Sequence, residues 1–296
     1  MSSKWNSVFA LEHVCRMRGG AQSQLFRCSD GEYYVVKFQN NPQGLRILVN
    51  ELLASILAKR LGLPVPEMEI VYVDEELIRF TEELVIELGR GRVQCQPGLC
   101  FGSKYPRDPA GSQHSLSAVW DLLPEGHFRT ITNLSDFVGM LVFDKWTGNT
   151  DDRQSIFFRN EGQFQFTALM IDNGFCFNGQ EWNFPDTPRL GVCMRAGVYE
   201  QIRGIEAFDW WISRLENEID ESFLTSAFEA IPAEWYQPDE RSFRELIKVL
   251  DCRRASVRSL LCATVAKLPE FFPNWICMAS DSLAKPSGHE ARPALA

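Results

Sequence analysis

A chain of 296 residues, 45% hydrophobic and 23% charged, is long enough to bury a large core and has the make-up of a globular protein of one or two domains. Its net charge of -9 argues against a surface that coats nucleic acid, and no apolar run is long enough to span a bilayer. Nine cysteines without a Cys-x-x-Cys pair argue against a disulfide framework or a zinc site, and four scattered histidines argue against a His-rich metal centre.

The opening residues, Met1-Ser2-Ser3-Lys4-Trp5-Asn6, lack the apolar stretch of a signal peptide. A cytoplasmic protein with reduced cysteines is therefore expected. Ser7-Val8-Phe9-Ala10 is a short apolar start. Ser23 to Cys28 leads into Ser29-Asp30-Gly31, a hairpin signal, and a strand resumes from Glu32 to Phe38. Arg46 to Leu61 has the apolar period of a helix, ended by Gly62 and kept from resuming by Pro64 and Pro66. Glu69 to Val73 and Leu84 to Leu88 are expected strands. Gln96 to Gly111, rich in Gly and Pro, is expected to be a connector between two lobes.

Beyond the connector the pattern turns helical. Asn133 to Trp146 has a broad apolar face, and two short strands are expected near Ser155 to Phe158 and Phe164 to Ile171. Glu206 to Leu215, Glu221 to Ala230 and Ser242 to Leu268 are expected helices, and the stretch from Ser280 on is expected to be disordered. The fold class is α+β in two lobes. Residues 1–97 form a small β-rich N-lobe, 98–111 a hinge, 112–279 a larger helical C-lobe and 280–296 a tail.

Four segments carry the chemistry. Gly19 and Gly20 precede the first hairpin strand, where glycine lets the backbone approach phosphate oxygens and successive N–H groups cradle an anion. Ala21, Gln22 and Ser23 would add donors. A plain turn is the bland alternative. Lys37 shares a strand face with Val35, and an ammonium beside valine is costly to bury without an anionic partner. An ATP phosphate and the carboxylate of Glu51, on the following helix, would supply that partner. Asp151, in Gly148-Asn149-Thr150-Asp151-Asp152-Arg153, can orient or deprotonate an attacking hydroxyl. Asp172 lies 21 residues later at the end of an apolar strand, before Asn173-Gly174, and suits a magnesium ligand. Gln154 could offer an amide oxygen to the same metal, and Arg153 either holds a phosphate or locks the loop by pairing with an acid. The aromatics of Glu181-Trp182-Asn183-Phe184-Pro185 read as core packing.

Gly20-Ala21-Gln22-Ser23, Val36-Lys37, Asn50-Glu51 with Leu61 to Pro66, Gly98 to Ser103, Gly148-Asn149-Thr150-Asp151 and Ile171-Asp172 together resemble the HipA-like kinases, over about Gly19 to Leu261. The family is best known for serine/threonine protein kinases of bacterial toxin systems, with a two-lobed kinase-like fold. The resemblance implies that Lys37 contacts ATP phosphates, Asp151 is the catalytic aspartate and Asp172 binds magnesium. It further implies that Leu99, Cys100, Phe101 and Gly102 line the adenine site with backbone groups. In one respect the chain departs from the pattern: the family usually has Asn five residues after the catalytic Asp, and here that position is Ile156. The chain also looks like a compact form without an N-terminal extension. The expected activity is ATP- and magnesium-dependent phosphoryl transfer to a protein serine or threonine, with an antitoxin-like partner conceivable. A small-molecule or lipid kinase is a close variant. The alternatives from other classes are a pseudokinase that binds a partner without chemistry and an α+β interaction protein without a nucleotide site. Membranes and nucleic acid are not expected partners.

Overall fold

The structure is a computed structural model that describes residues 8–89, 91–106, 119–159, 162–237 and 239–276. The N-terminal half is a closed five-stranded barrel with strand order β1-β2-β3-β7-β4, formed by β1 (Val8–Arg16), β2 (Gln24–Cys28), β3 (Tyr33–Lys37), β4 (Met68–Val73) and β7 (Gly98–Lys104). The turn between β2 and β3 follows from Ser29-Asp30-Gly31. Gly31 adopts φ 86°, and Asp30 accepts from the Glu32 amide at 3.0 Å and from the Tyr34 hydroxyl at 2.8 Å. Alternation along β3 sends Tyr34 and Val36 into the barrel core with Phe26, Phe38, Val71 and Cys100. It leaves Val35 and Lys37 on the opposite face, toward the inter-lobe cleft.

Helix α1 (Arg46–Arg60) follows β3. It ends in a Schellman motif: the Gly62 amide donates to the Lys59 carbonyl at 3.0 Å and the Leu63 amide to the Ala58 carbonyl at 2.9 Å, with Gly62 at φ 76°. After β4 come a short helix α2 (Glu75–Phe80) and a separate hairpin of β5 (Val85–Leu88) and β6 (Gly91–Gln94), which stands outside the barrel.

Residues 98–104, within the stretch expected as connector and not among the expected strands, form strand β7, which pairs antiparallel with both β3 and β4. The physical reason is local. Leu99-Cys100-Phe101 is a short apolar run that barrel and α1 bury together, and Gly102 fits only without a Cβ, which would lie 2.5 Å from Val71 Cγ2. The irregular chain thus begins at Tyr105-Pro106, and the expected connector beyond 106 lies outside the described residues.

The C-terminal half opens with β8 (Val119–Trp120), helix α3 (Asp136–Thr147), and β9 (Gln154–Phe158) and β10 (Thr167–Ile171), the three strands ordered β10-β9-β8. Every residue of α3 from Phe137 to Thr147 is buried. Five helices follow, α4 (Asp209–Glu218), α5 (Glu221–Ala230), α6 (Ala233–Tyr236), α7 (Glu240–Arg253) and α8 (Val257–Lys267); α4, α7 and α8 pack on α3, and α5 and α6 pack on α1. The single helix expected over 242–268 is two, separated by a 3-10 turn at 254–256. Asp251 to Ser256 contains no apolar anchor. Arg253 fills the core-facing position and turns inward, donating to the Trp146 and Lys145 carbonyls at 2.9 and 3.0 Å, so nothing holds the helix straight through this stretch. The tail from 280 lies outside the described residues. One large core runs from α1, Met68, Ile70 and Phe101 through α3 to α8, and a second, smaller one fills the barrel.

Candidate active site

Three charges meet where β3, α1 and the end of β10 converge. The Lys37 ammonium donates to Glu51 on α1 and, at 2.8 Å, to Asp172 Oδ1. The Glu51 side chain is 3% exposed and the Asp172 side chain 25%, so the aspartate is the member of the cluster that faces the cleft. Burial pulls the Lys37 pKa down, but the two carboxylates outweigh it and hold the ammonium firmly protonated. Burial pushes Glu51 up despite the lysine beside it. Asp172 is also pushed up by burial, yet Lys37 prevails and holds it below the ordinary carboxylate range. One cation against two carboxylates leaves the cluster with an excess negative charge.

The Asp-Asn-Gly sequence after β10 serves this geometry residue by residue. Asp172 adopts φ 58°, a left-handed conformation that Asp tolerates better than most residues. The Asn173 amide donates to Glu51 Oε2 at 3.1 Å. Gly174 lets α1 approach, since a Cβ there would lie 2.8 Å from Ile47 Cγ2. Asn50 on α1 donates to the Gly174 and Gly179 carbonyls, both at 2.8 Å, and accepts from Trp182 Nε1 at 2.8 Å. Trp182 also packs on Phe243, so the aromatics of this segment are core, as expected.

Asp151 sits on the loop between α3 and β9. Gly148 caps α3 at φ 60°, its amide bonded to the Asp144 carbonyl. Asn149 donates to Asp144 Oδ1 at 3.0 Å and accepts from the Asp151 amide at 3.1 Å. The Asp151 carboxylate in turn receives the Asp152 amide at 2.8 Å and Gln154 Nε2 at 3.1 Å. Beneath it, Arg153 is 1% exposed in its side chain and forms a bidentate pair with Asp144. Its remaining donors go to the Ile171 carbonyl at 2.9 Å and Asn173 Oδ1 at 3.0 Å. Of the two roles considered for Arg153, the structure has the second: it locks the loop and joins the Asp151 loop to the Asp172 loop. Asp144 was not singled out from the sequence, and Asn149 and Asn173 stood in the quoted motifs without a role of their own. The available signal was Asp144-Lys145, two adjacent charges in an otherwise apolar helix.

The glycine turn faces the same cleft. Gln22 stands at φ 53° and points away, its amide clamped on the Glu87 backbone of β5 by two bonds of 2.8 Å. A cavity of about 780 Å³ lies between the lobes, lined by Gly19, Gly20, Ser23, Val35, Lys37, Glu51, Phe101, Asp151, Gln154, Ile156 and Asp172. Ala21 and Gln22 do not line it, because Ala21 is buried and Gln22 serves as the clamp. Leu99, Cys100 and Gly102 do not line it either. Cys100 faces the barrel core, the Leu99 carbonyl is taken by Gln39 and Trp235, and Gly102 abuts Val71. Ser103, Lys104, Tyr105 and Pro106 take their place.

Among the described residues no three His, Cys, Asp or Glu side chains form a metal cage. Magnesium bound with a nucleotide needs only one or two carboxylates, its other ligands being phosphate oxygens and water. Asp172 and Asp151 fit that pattern, and Gln154, whose Nε2 is spent on Asp151, has Oε1 as its metal-capable atom.

A β-barrel lobe with a buried lysine–glutamate pair, a helical lobe with two loop aspartates and a cleft between them define a protein-kinase-like fold. The HipA-like kinase family model matches residues 12–161, half of the chain, and the chain belongs to that family. No curated protein sequence matches it. Among solved structures it is similar to the Helicobacter pylori proinflammatory kinase CtkA, with a TM-score of 0.51 and 16% identity over 83% of this chain and 95% of that one. Two structures of the Golgi casein kinase are also similar. The one with Mn/ADP bound has a TM-score of 0.46 and 11% identity over 90% of this chain and 75% of that one. The other has a TM-score of 0.47 and 13% identity over 90% and 74%. No helix is long and apolar enough to cross a membrane among the described residues.

Proposed function

We propose that this protein transfers the γ-phosphoryl group of ATP, with magnesium, to a serine or threonine hydroxyl of a protein. The observation that carries the proposal is the meeting of Lys37, Glu51, Asp151 and Asp172 in one inter-lobe cavity of nucleotide size. Membership in a kinase family supports phosphoryl transfer as the chemistry. Five buried free thiols among the described residues accord with a reducing, cytoplasmic setting.

The chain's own groups divide the work. An ammonium has three donors, and Lys37 spends two on Glu51 and Asp172, which leaves the third for a phosphate oxygen. Glu51, anchored by the Asn173 amide, fixes the direction of that donor. Val35 and Phe101 offer apolar walls for the base beside Lys104 to Pro106. Asp151, held by the Asp152 amide and Gln154, accepts the proton of the acceptor hydroxyl as its oxygen bonds to the γ-phosphorus and the bond to the β-phosphate oxygen breaks. When bound through Asp172, magnesium supplies neutralisation of phosphate charge.

A pseudokinase is the second reading. It is favoured by Ile156, an apolar side chain in the cavity wall five residues after Asp151. Purified protein incubated with γ-labelled ATP, with and without magnesium and with cell lysate as acceptor, separates the two. Magnesium-dependent transfer abolished by Asp151→Ala and by Asp172→Ala is the expected result. Nucleotide-dependent thermal stabilisation without transfer would establish the pseudokinase instead.

A further inference from the structure

The cavity wall carries six cationic side chains: Arg16, Arg18, Lys37, Lys104, Arg153 and Arg195. Five are already committed. Arg16 pairs with Glu87 at 3.2 Å, Lys37 with Glu51 and Asp172, Lys104 with Glu32 at 2.9 Å, Arg153 with Asp144, and Arg195 with Glu125 at 3.6 Å. Of these six, Arg18 alone has no carboxylate partner among the described residues, and it is exposed in the glycine turn.

This distribution matters for a nucleoside triphosphate. Glu51, Asp121, Asp151 and Asp172 also line the cavity, so its wall is not a ready anion site. ATP keeps about two negative charges even with magnesium bound, and in water-excluding surroundings these need direct cationic partners. Lys37 offers one donor from an already over-neutralised ammonium. Arg18 brings an uncommitted guanidinium, whose planar fork matches two oxygens of one phosphate.

The turn is built to present that side chain. The Met17 amide donates to the Ser23 carbonyl at 2.8 Å and the Gln22 amide to the Gly19 carbonyl at 3.2 Å, which closes the loop under Arg18. The Gln22 clamp on Glu87 fixes the turn from outside. Beneath it lies Gln43, whose Nε2 comes within 3.2 Å of where a Gly20 Cβ would be. Gln43 Oε1 is buried without a hydrogen-bond partner among the described residues and belongs to the cavity wall. A guanidinium lowered over the phosphates would give this orphan acceptor a donor.

We propose that Arg18 grips the terminal phosphate of the nucleotide, so that the glycine turn distinguishes a triphosphate from a diphosphate and stabilises the phosphoryl group in transfer. The assignment rests on the kinase reading above and adds a residue to it. The test is calorimetric titration of wild type, Arg18→Ala and Arg18→Lys with magnesium–ADP and with a non-hydrolysable magnesium–ATP analogue. Steady-state transfer rates and nucleotide-free melting are measured alongside. Arg18→Ala is expected to weaken the triphosphate analogue about tenfold or more, the scale of one or two charge-assisted bonds, and to change ADP affinity less than about twofold. It lowers kcat for transfer and leaves melting without nucleotide unchanged, while Arg18→Lys recovers part of the affinity. Equal weakening of both nucleotides, or of neither, overturns the role of Arg18 while the kinase reading stands. Wild-type protein that binds neither nucleotide overturns that reading and this assignment with it.

Discussion

Arg153→Met removes one half of a fully buried ion pair. The side chains of Arg153 and Asp144 are 1% and 0% exposed. After the substitution the Asp144 carboxylate retains Asn149 Nδ2 at 3.0 Å, but no cation, while the Ile171 carbonyl and Asn173 Oδ1 each lose a donor. An unpaired buried charge of this kind costs about 3–5 kcal/mol, a large share of the roughly 5–15 kcal/mol that holds a domain folded. With a urea m-value of roughly 3 kcal/mol/M, the unfolding midpoint should fall by about 1–1.7 M, read by tryptophan fluorescence and circular dichroism. Adding Asp144→Asn removes the stranded charge and preserves the shape, so the double variant should regain about half of the loss or more. The reasoning fails if Arg153→Met costs less than about 1 kcal/mol, or if the double variant is less stable than the single one.

Lys37→Met leaves Glu51 and Asp172 facing each other without a cation. In the wild type the folded pKa of Asp172 is depressed, so its stabilising contribution is present above the unfolded pKa and is lost as pH falls through the folded value. In the variant both folded pKa values lie above the unfolded ones, so the deficit is greatest near pH 7 and shrinks toward pH 5; a gap in Tm that is constant between those pH values refutes this. Burial pushes the thiols of Cys28, Cys95 and Cys176 up to about 12 and that of Cys193 to about 11. Iodoacetamide at pH 8 should therefore label the exposed Cys15, Cys252 and Cys262 well before these four, as peptide mass spectrometry will show. The same raised values mean that stability falls as pH rises above about 8.5, where the unfolded thiols ionise first. Gly148→Ala should cost about 2–3 kcal/mol, the left-handed backbone plus a Cβ 2.7 Å from Phe184 Cδ1. Gly31→Ala, at φ 86° with open space around it, should cost only about 1–2 kcal/mol, and equal denaturation shifts for the two would sink the packing argument.

Local signals made the hairpin, α1 and α5 readable: Gly31 marks the turn, Gly62 ends α1, which is apolar enough to be buried on most of its surface, and α5 buries Leu224, Ala227 and Phe228 on one face. The Lys37–Glu51–Asp172 cluster was legible for a related reason. A charge set in an apolar strand has to be matched, and the following helix offered Glu51; Asp172 was expected in the same cleft as a magnesium ligand, and its direct bond to Lys37 was not foreseen. What failed to show was whatever depends on neighbours distant in the chain. Leu99 to Gly102 looks like a loop by its glycines, and only the barrel closing on both sides makes it a strand. Gln22 looks like a phosphate donor until Glu87, 65 residues away, claims its amide. Arg253 sits in a helix-compatible stretch, and its attraction to Asp186 and the end of α3 is invisible in the local pattern.

Helix α1 has consequences for how the molecule is held together. It springs from the barrel, yet Leu48, Leu52, Leu53 and Leu57 share one core with α3 and the helices beyond it. Its first residue, Arg46, pairs with Asp239 at 2.8 Å and lies over the Trp182 ring at 4.2 Å. A fragment stopping at Pro106 would thus carry a greasy rod with nothing to wrap it, and the complementary fragment would keep an empty trough. Neither piece should survive alone, and mixing the two is the only way either would recover its native form.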